Sequence, residues 1–241
     1  MGLFSLFNKK LSLQSSGYLN GFTDRHSHIL FGVDDGVKTK EESLAVLQYM
    51  EEQGVKELWC TPHIMEDIPN TTDSLKIRFE ELKSEYKGEI KLNLAAEYML
   101  DTVFESRLKS KDLLTMEDDI LLVETSTIAE PYNLIASMQE IMSAGYRPLF
   151  AHPERYRFLS EKDFDKLYEM GVKFQLNIGS LTGYYGEAVK KKAEYLLSKG
   201  MYWCCGSDCH KLKSIVHQHS IMALSKNTIK LLQTEVKNFY K

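Results

Sequence analysis

Six stretches of this chain read as buried strands, and each finishes on a residue able to hold a metal ion. FTDRHSH runs through Asp24, His26 and His28, KELWCTPH ends on His63, and IKLNLAAE on Glu97. DILLVET carries Glu124, YRPLFAH ends on His152, and MYWCCGSD ends on Asp208, with His210 two residues on. A seventh strand-like stretch, VKFQLNIG, ends without such a residue. Helical patterns lie between them. Thr39 and Glu42 form a capping box, followed by Leu44, Leu47 and Met50 at helical spacing and closed by Gly54. Further helical patterns cover residues 73–87, 132–144, 160–170 and 187–199. Alternating strands and helices with short connections imply a parallel sheet, and one continuous run of this kind predicts a closed barrel. The alternative, an open doubly wound sheet, calls for a Gly-rich phosphate loop after an early strand. Neither G-x-G-x-x-G nor G-x-x-x-x-G-K-[ST] is present.

In a parallel barrel the C-terminal strand ends form one mouth, so these residues converge although far apart in sequence. Residues i and i+2 of a strand share a face, which lets His26 and His28, or Asp208 and His210, approach one ion together. A single histidine or glutamate at a strand end is ordinarily a hydrogen-bonded or solvated side chain. The joint pattern is different, because clustered carboxylates without a cation repel one another and are costly to bury. A multinuclear metal site follows from the ligand chemistry.

Composition narrows the function. The 241 residues carry a formal charge of −4, which disfavours a general nucleic-acid coat, and an ordinary 43% hydrophobic content disfavours disorder. No apolar run reaches the ~18–20 residues of a membrane span. The start, MGLFSLFNKK, lacks the basic region and cleavage site of a signal peptide. Residues 1–18 are expected to form a tail, frayed or packed, with peripheral membrane contact through Leu3, Phe4, Leu6, Phe7, Lys9 and Lys10 as its alternative. Residues 19–241 form the single domain. Cys60, Cys204, Cys205 and Cys209 make no C-x-x-C pair, and Cys60, Cys204 and Cys205 read as small hydrophobes of buried strands, which fits a reducing cytoplasm. None begins a C-x5-R phosphate loop, and no G-x-S-x-G elbow presents a serine nucleophile.

HSHILFGVDDG, TPH, AAEY, VET, AHPERY, NIGSLTGYYG and GSDCH, in this order, resemble the PHP (polymerase and histidinol phosphatase) superfamily. The likeness runs from about Asp24 to His210 and is greatest to its CpsB-type manganese-dependent protein-tyrosine phosphatases of bacterial polysaccharide export. It implies an α/β fold, a distorted (β/α)7 barrel of PHP type, with three divalent ions: manganese, with magnesium, iron and zinc as alternatives. It implies one ion on His26, His28, Glu97 and Asp208, a second on Glu97, Glu124 and His152, and a third on Asp35, His63 and His210. Asp35 matches the family ligand in VDDG, which leaves Asp34 as a turn residue. Arg155 of HPERY matches an arginine that contacts substrate phosphate; the plainer reading of it is a surface ion pair with Glu154. A second family arginine is missing after Asp208-x-His210, where Lys213 is the candidate point charge. Arg25 should point away from the ions because it alternates with His26 and His28.

After the sixth strand, Gly179–Gly186 reads as a rim loop in which Tyr184, or else Tyr185, is the candidate to line the substrate entrance, with ordinary packing of the two tyrosines as the plainer reading. His217 and His219 read as surface residues. Three divalent ions against four carboxylates and five neutral imidazoles leave a net +2, matched to a dianionic phosphomonoester. The resemblance therefore implies hydrolysis of phosphotyrosine by an ion-activated hydroxide, on the tyrosine-rich tail of a polysaccharide-export kinase. A small-molecule phosphatase, such as histidinol phosphatase, and a non-catalytic phosphotyrosine-binding regulator are the alternatives.

Overall fold

The computed structural model describes residues 10–129, 131 and 133–236. Its strands are β1 (Thr23–Asp24), β2 (Glu57–Cys60), β3 (His63–Ile64), β4 (Lys91–Leu94), β5 (Glu97–Met99), β6 (Ile120–Glu124), β7 (Arg147–Ala151), β8 (Lys173–Asn177) and β9 (Tyr202–Gly206). Every ladder between them is parallel. They lie in the orders β1-β2-β4 and β3-β5-β6-β7-β8-β9. Pro62 has no N–H to give, and the second strand line breaks there into β2 and β3. The third breaks beside it at Ala95–Ala96. Ala95 N still donates to Cys60 O (2.9 Å) and Glu97 N to Pro62 O (3.1 Å), so each broken pair is one strand line. Merging them leaves the seven lines expected from the sequence.

The two outer lines meet through residues 25–28. Arg25 N donates to Cys205 O (3.4 Å), Asp208 N to His26 O (2.8 Å) and His28 N to Cys209 O (2.9 Å). A parallel bridge joins Ser27 to Cys209. The strand lines thus follow one another round a distorted ring whose seam is irregular. Both segments richest in candidate ligands, Asp24–His28 and Ser207–His210, lie at that seam.

Helices α1 (Leu13–Ser16), α2 (Lys40–Glu52), α3 (Thr72–Glu85), α4 (Thr102–Ser110) and α5 (Leu134–Ser143) are followed by α6 (Glu161–Glu169), α7 (Ile178–Thr182), α8 (Glu187–Ser198), α9 (Leu212–Ser220) and α10 (Lys226–Glu235). The Thr39–Glu42 capping box opens α2, which buries Val46, Leu47 and Met50. The spacing also located α3, α5, α6 and α8 to within two residues at each end. It did not give α4, whose signal is the Asp101 cap with Phe104 and Leu108 buried one turn apart. The first half of the expected rim loop after the sixth strand is instead α7, with every residue buried, and residues 183–186 form the turn that follows it.

Alternate residues of neighbouring strands fill the ring. Ala95, Ile120, Leu122, Leu149, Ala151 and Cys204 form an apolar cluster with Met116, against which Trp59 and Trp203 pack. Continuing that alternation reaches Glu97 and Glu124 two residues on and Asp208 four residues beyond Cys204. The inner face of the ring thus changes from apolar to ligand-bearing at its C-terminal end.

Packing begins before residue 19. Leu11 pairs with Leu224, and Leu13 and Tyr18 are fully buried. Leu3, Phe4, Leu6, Phe7 and Lys9 lie outside the described residues. All four cysteines are buried, Cys60, Cys204 and Cys205 as expected, and none is in a disulfide. His219 corrects the sequence reading: it is buried on α9, its Nδ1 3.1 Å from the Tyr49 hydroxyl. Burial pushes its pKa down to about 4.

The unfolded chain therefore binds a proton near pH 6.5 that the folded chain refuses until about pH 4. This residue's contribution is complete above pH 6.5 and is lost as the pH falls below it. Between pH 7.5 and 5.0 the loss is about 2 kcal/mol. Denaturant unfolding at both pH values should show His219→Gln losing less stability than the parent protein by about that amount. Equal losses would contradict the assignment.

Candidate metal centre

Residues 25–28 leave β1 at the seam with alternating faces. Arg25 turns from the mouth, as expected, pairing with Glu117 at 2.5 Å and lying over the Trp203 ring at 5.0 Å. His26 and His28 turn into it, and both are fully buried. Their approach depends on Gly206, where a Cβ would stand 2.4 Å from that of His26 and 2.7 Å from its backbone nitrogen.

Ala151 belongs to the apolar interior of the ring, so a regular strand would carry the next residue outward. His152 instead has φ +36°, a left-handed turn that brings its ring in toward Glu97. Asp208 likewise sits at φ +52°. Backbone of this kind in a non-glycine residue costs of order 1–3 kcal/mol and persists where the surrounding structure demands it.

Glu97 lies at the centre. Its Oε2 is 3.2 Å from Nε2 of His26, Nε2 of His28 and Nδ1 of His63, and its Oε1 is 3.2 Å from Nε2 of His152. The residue is 1% exposed, and neither carboxylate oxygen has a hydrogen-bond partner among the described residues. The Nε2 atoms of His26 and His28 are only 3.0 Å apart. Glu124 adds Oε1 at 3.0 Å from Nδ1 of His63, and Asp35 Oδ1 lies 3.3 Å from Nε2 of His210 and 3.5 Å from that of His63.

Every proposed ligand thus reaches one cluster, in four groups: His26–His28–Asp208, His26–Glu97–His152, His63–Glu97–Glu124 and His28–Asp35–His63–His210. The grouping differs from the expected one: His152 stands with His26 and Glu97, Glu124 with His63 and Glu97, and His28 joins Asp35, His63 and His210. Glu124 lies nearer His63, at 3.0 Å, than His152, at 3.8 Å.

The charges reinforce each other. Burial alone would lower the pKa of His26, but the Glu97 and Asp208 carboxylates outweigh it and raise it to about 9. Burial alone would raise Glu97, yet His26 and His63 hold it well below the ordinary carboxylate range. Asp208 is held down in the same way against its burial, by His26 and His28. Imidazoles gathered round a buried carboxylate that lacks hydrogen bonds, with further carboxylates beside it, are the chemistry of divalent-cation ligation, and the residues fit such ions.

The sequence reading missed the groups that orient these ligands. Asp34 is not a plain turn residue: its Oδ2 accepts from Nδ1 of His28 at 2.8 Å and from His63 N at 3.1 Å. Gln175 Oε1 accepts from Nδ1 of His26 at 2.9 Å and from His152 N at 3.2 Å. An acceptor at Nδ1 places the hydrogen there and turns the Nε2 lone pair into the cluster. Asn177 Nδ2 donates to Asp208 Oδ2 at 2.9 Å. The sixth strand in chain order, VKFQLNIG, therefore supplies no candidate ligand but two positioning side chains. Polar Gln175 and Asn177, two apart in an apolar run, were the signal.

Arg155 does reach the cluster. Its Nη1 donates to Asp208 Oδ2 at 2.7 Å, so it is not the surface partner of Glu154. Glu154 is itself buried, accepting from Asn177 N, Ser180 Oγ and the Tyr202 hydroxyl. Tyr184 packs edge-on against Tyr185 and against His217, and Tyr185 is the ring that meets Arg155. Lys213 is exposed on α9, and no described contact ties it to the cluster.

Fold and cluster together define a class: a parallel α/β barrel with a candidate multinuclear metal centre at the C-terminal ends of its strands. The chain belongs to the capsular polysaccharide synthesis family CpsB/CapC, whose pattern matches residues 22–230. It is 32% identical over 207 residues to the tyrosine-protein phosphatase CpsB of Streptococcus pneumoniae, covering 79% of this chain and 84% of that one. The CpsB of Streptococcus agalactiae is 29% identical over 209 residues, covering 78% and 83%. Among solved structures, one from work on YwqE of Bacillus subtilis and CpsB of S. pneumoniae, described as unique metal-dependent tyrosine phosphatases, superposes with a TM-score of 0.75. That match has 23% identity and covers 88% of this chain and 87% of the other, so it shows the shared fold.

Two substitutions test the centre. Glu97→Gln keeps the shape and removes the shared charge; after manganese loading and desalting, elemental analysis should find less than about half the metal of the parent protein. Gln175→Leu leaves every ligand in place but releases His26 and should weaken manganese affinity roughly 10–100-fold. Full metal content in the first variant, or unchanged affinity in the second, would contradict these roles.

Proposed function

We propose that this chain is a metal-dependent phosphomonoesterase that dephosphorylates phosphotyrosine on protein. The observation that carries the reading is the Glu97 carboxylate, buried without a hydrogen bond among four imidazoles, with Arg155 beside the same cluster. The metal ligands are His26, His28, Asp35, His63, Glu97, Glu124, His152, Asp208 and His210, and the expected load is three ions, manganese first. When bound, such ions supply positive charge to the phosphoryl oxygens and acidify a water for attack.

The chain's own residues do the rest. Asp34 and Gln175 fix His28 and His26, so the ligand atoms are set before substrate arrives. Arg155 makes one side-chain hydrogen bond among the described residues, to Asp208, and a guanidinium has five N–H groups. Its others are available to clamp phosphoryl oxygens, in the bound substrate and equally in the transition state. A phenol leaves with a pKa of about 10, so the residues need supply no strong general acid. A cavity of about 510 Å³ opens beside Asp35, lined by Val33, Lys38, Ile68, Pro69 and Asn70, and offers room for the substrate chain.

Membership in a capsular polysaccharide synthesis family, with relatives named tyrosine phosphatases, supports the tyrosine-phosphorylated tail of a polysaccharide-export kinase as the partner. Four buried cysteines, none of them in a disulfide, support a reducing, cytoplasmic setting. No helix among the described residues is long and apolar enough to cross a membrane.

The test compares a phosphotyrosyl peptide with histidinol phosphate, each with manganese and with a chelator. Chelator-sensitive phosphate release from the peptide is expected, and at higher kcat/KM than from histidinol phosphate. The opposite preference would make this a small-molecule phosphatase. Binding of the peptide without release would make it a regulator.

A further inference from the structure

Arg155 is the one guanidinium that the described contacts tie to the cluster. Arg25 turns away to Glu117, and the chain has no arginine after Arg157. Its aim therefore matters, and four groups close a loop around it. Arg155 Nη1 donates to Asp208 Oδ2 at 2.7 Å, and that oxygen also accepts from Asn177 Nδ2 at 2.9 Å. The same Nδ2 reaches the Tyr185 hydroxyl at 3.2 Å, and the Tyr185 ring lies against the guanidinium, 4.9 Å from its carbon to the ring centroid. The other Asp208 oxygen faces His28 at 3.4 Å and His26 at 3.6 Å.

The frame behind this loop is fixed. Asn177 N donates to buried Glu154 at 3.0 Å, and Asn177 Oδ1 accepts from Gly179 N at 3.2 Å. Tyr184 stands at 87° against Tyr185 with ring centres 5.0 Å apart, closing the outer side. A long arginine side chain held by one hydrogen bond can still rotate about it, whereas an aromatic face fixes the guanidinium plane. The Arg155 side chain is 27% exposed, so its outer edge remains open to a ligand.

We propose that Tyr185 is a positioning residue that sets the plane of Arg155 and so aims its N–H groups at a phosphoryl group on the cluster. This rests on the reading of the cluster as a phosphomonoesterase centre. The ring face does the aiming, and the hydroxyl adds the tie to Asn177.

The test uses the manganese-loaded full chain with three readouts: inorganic phosphate affinity by calorimetry, KM and kcat for p-nitrophenyl phosphate, and manganese content. Tyr185→Leu should weaken phosphate binding and raise KM by about ten-fold, with kcat within about two-fold and manganese content unchanged. Tyr185→Phe keeps the ring and should stay within about three-fold of the parent in phosphate affinity. In an Arg155→Ala background, Tyr185→Leu should have no further effect on phosphate binding. Parent-like affinity in Tyr185→Leu, an equal loss in the Arg155→Ala background, or loss of manganese would each overturn the proposal. So would a parent protein that does not bind phosphate. A parent that binds phosphate but hydrolyses no phosphomonoester defeats the enzymatic reading alone, and the binding arm still decides the role of Tyr185.

Discussion

A carboxylate without hydrogen bonds at the end of a barrel is the constraint on which the rest of this structure depends. Glu97 is 1% exposed and faces four imidazole nitrogens, each 3.2 Å away. Left alone, a buried charge of this kind is costly, and removing its partners would leave it uncompensated. Its neighbours answer with charge of the opposite sign, and His26 is driven to a pKa of about 9 by Glu97 and Asp208 despite full burial. Divalent ions satisfy the same demand with shorter range and stronger fields, which gives the cluster its chemical meaning.

The scaffold is arranged round that demand. The irregular seam of the ring, where Asp208 N donates to His26 O, lets ligands from both ends of the chain meet. Gly206 is there because any Cβ would collide with His26. His152 and Asp208 accept left-handed backbone that ordinary strand residues avoid, and in both cases it turns a candidate ligand into the mouth. Behind them, Asp34, Gln175 and Asn177 set the orientation of His28, His26 and Asp208 through single hydrogen bonds. Such supports fix which imidazole nitrogen faces the site, and thus whether it can ligate at all.

Much of this was legible in the sequence, for a physical reason. Strand ends are marked by the change from apolar to polar residues, and in a parallel barrel all those ends face one mouth. His63, Glu97, Glu124 and Asp208 could therefore be placed together without knowing any contact. What the sequence hid were features set by side-chain direction and tertiary packing. Tyr184 and Tyr185 are adjacent and chemically alike, and only the turn after α7 decides which meets Arg155. His219 looks like a surface residue of a polar helix until the Tyr49 side of α2 packs over it. Asp34 and Asp35 differ by one position, yet one is buried beneath His28 while the other is largely exposed near His63 and His210. Arg155 could be read either as a surface ion pair or as part of the site, and its bond to Asp208 resolves this.

The central claim is that the Glu97 cluster exists to hold metal. Anomalous diffraction at the manganese edge, from crystals grown with manganese, tests it most directly. The account predicts anomalous peaks within about 2.0–2.3 Å of the Glu97 carboxylate oxygens and of the imidazole nitrogens around them. A well-ordered map without such peaks, in which Glu97 is satisfied by protein or water hydrogen bonds alone, would contradict it.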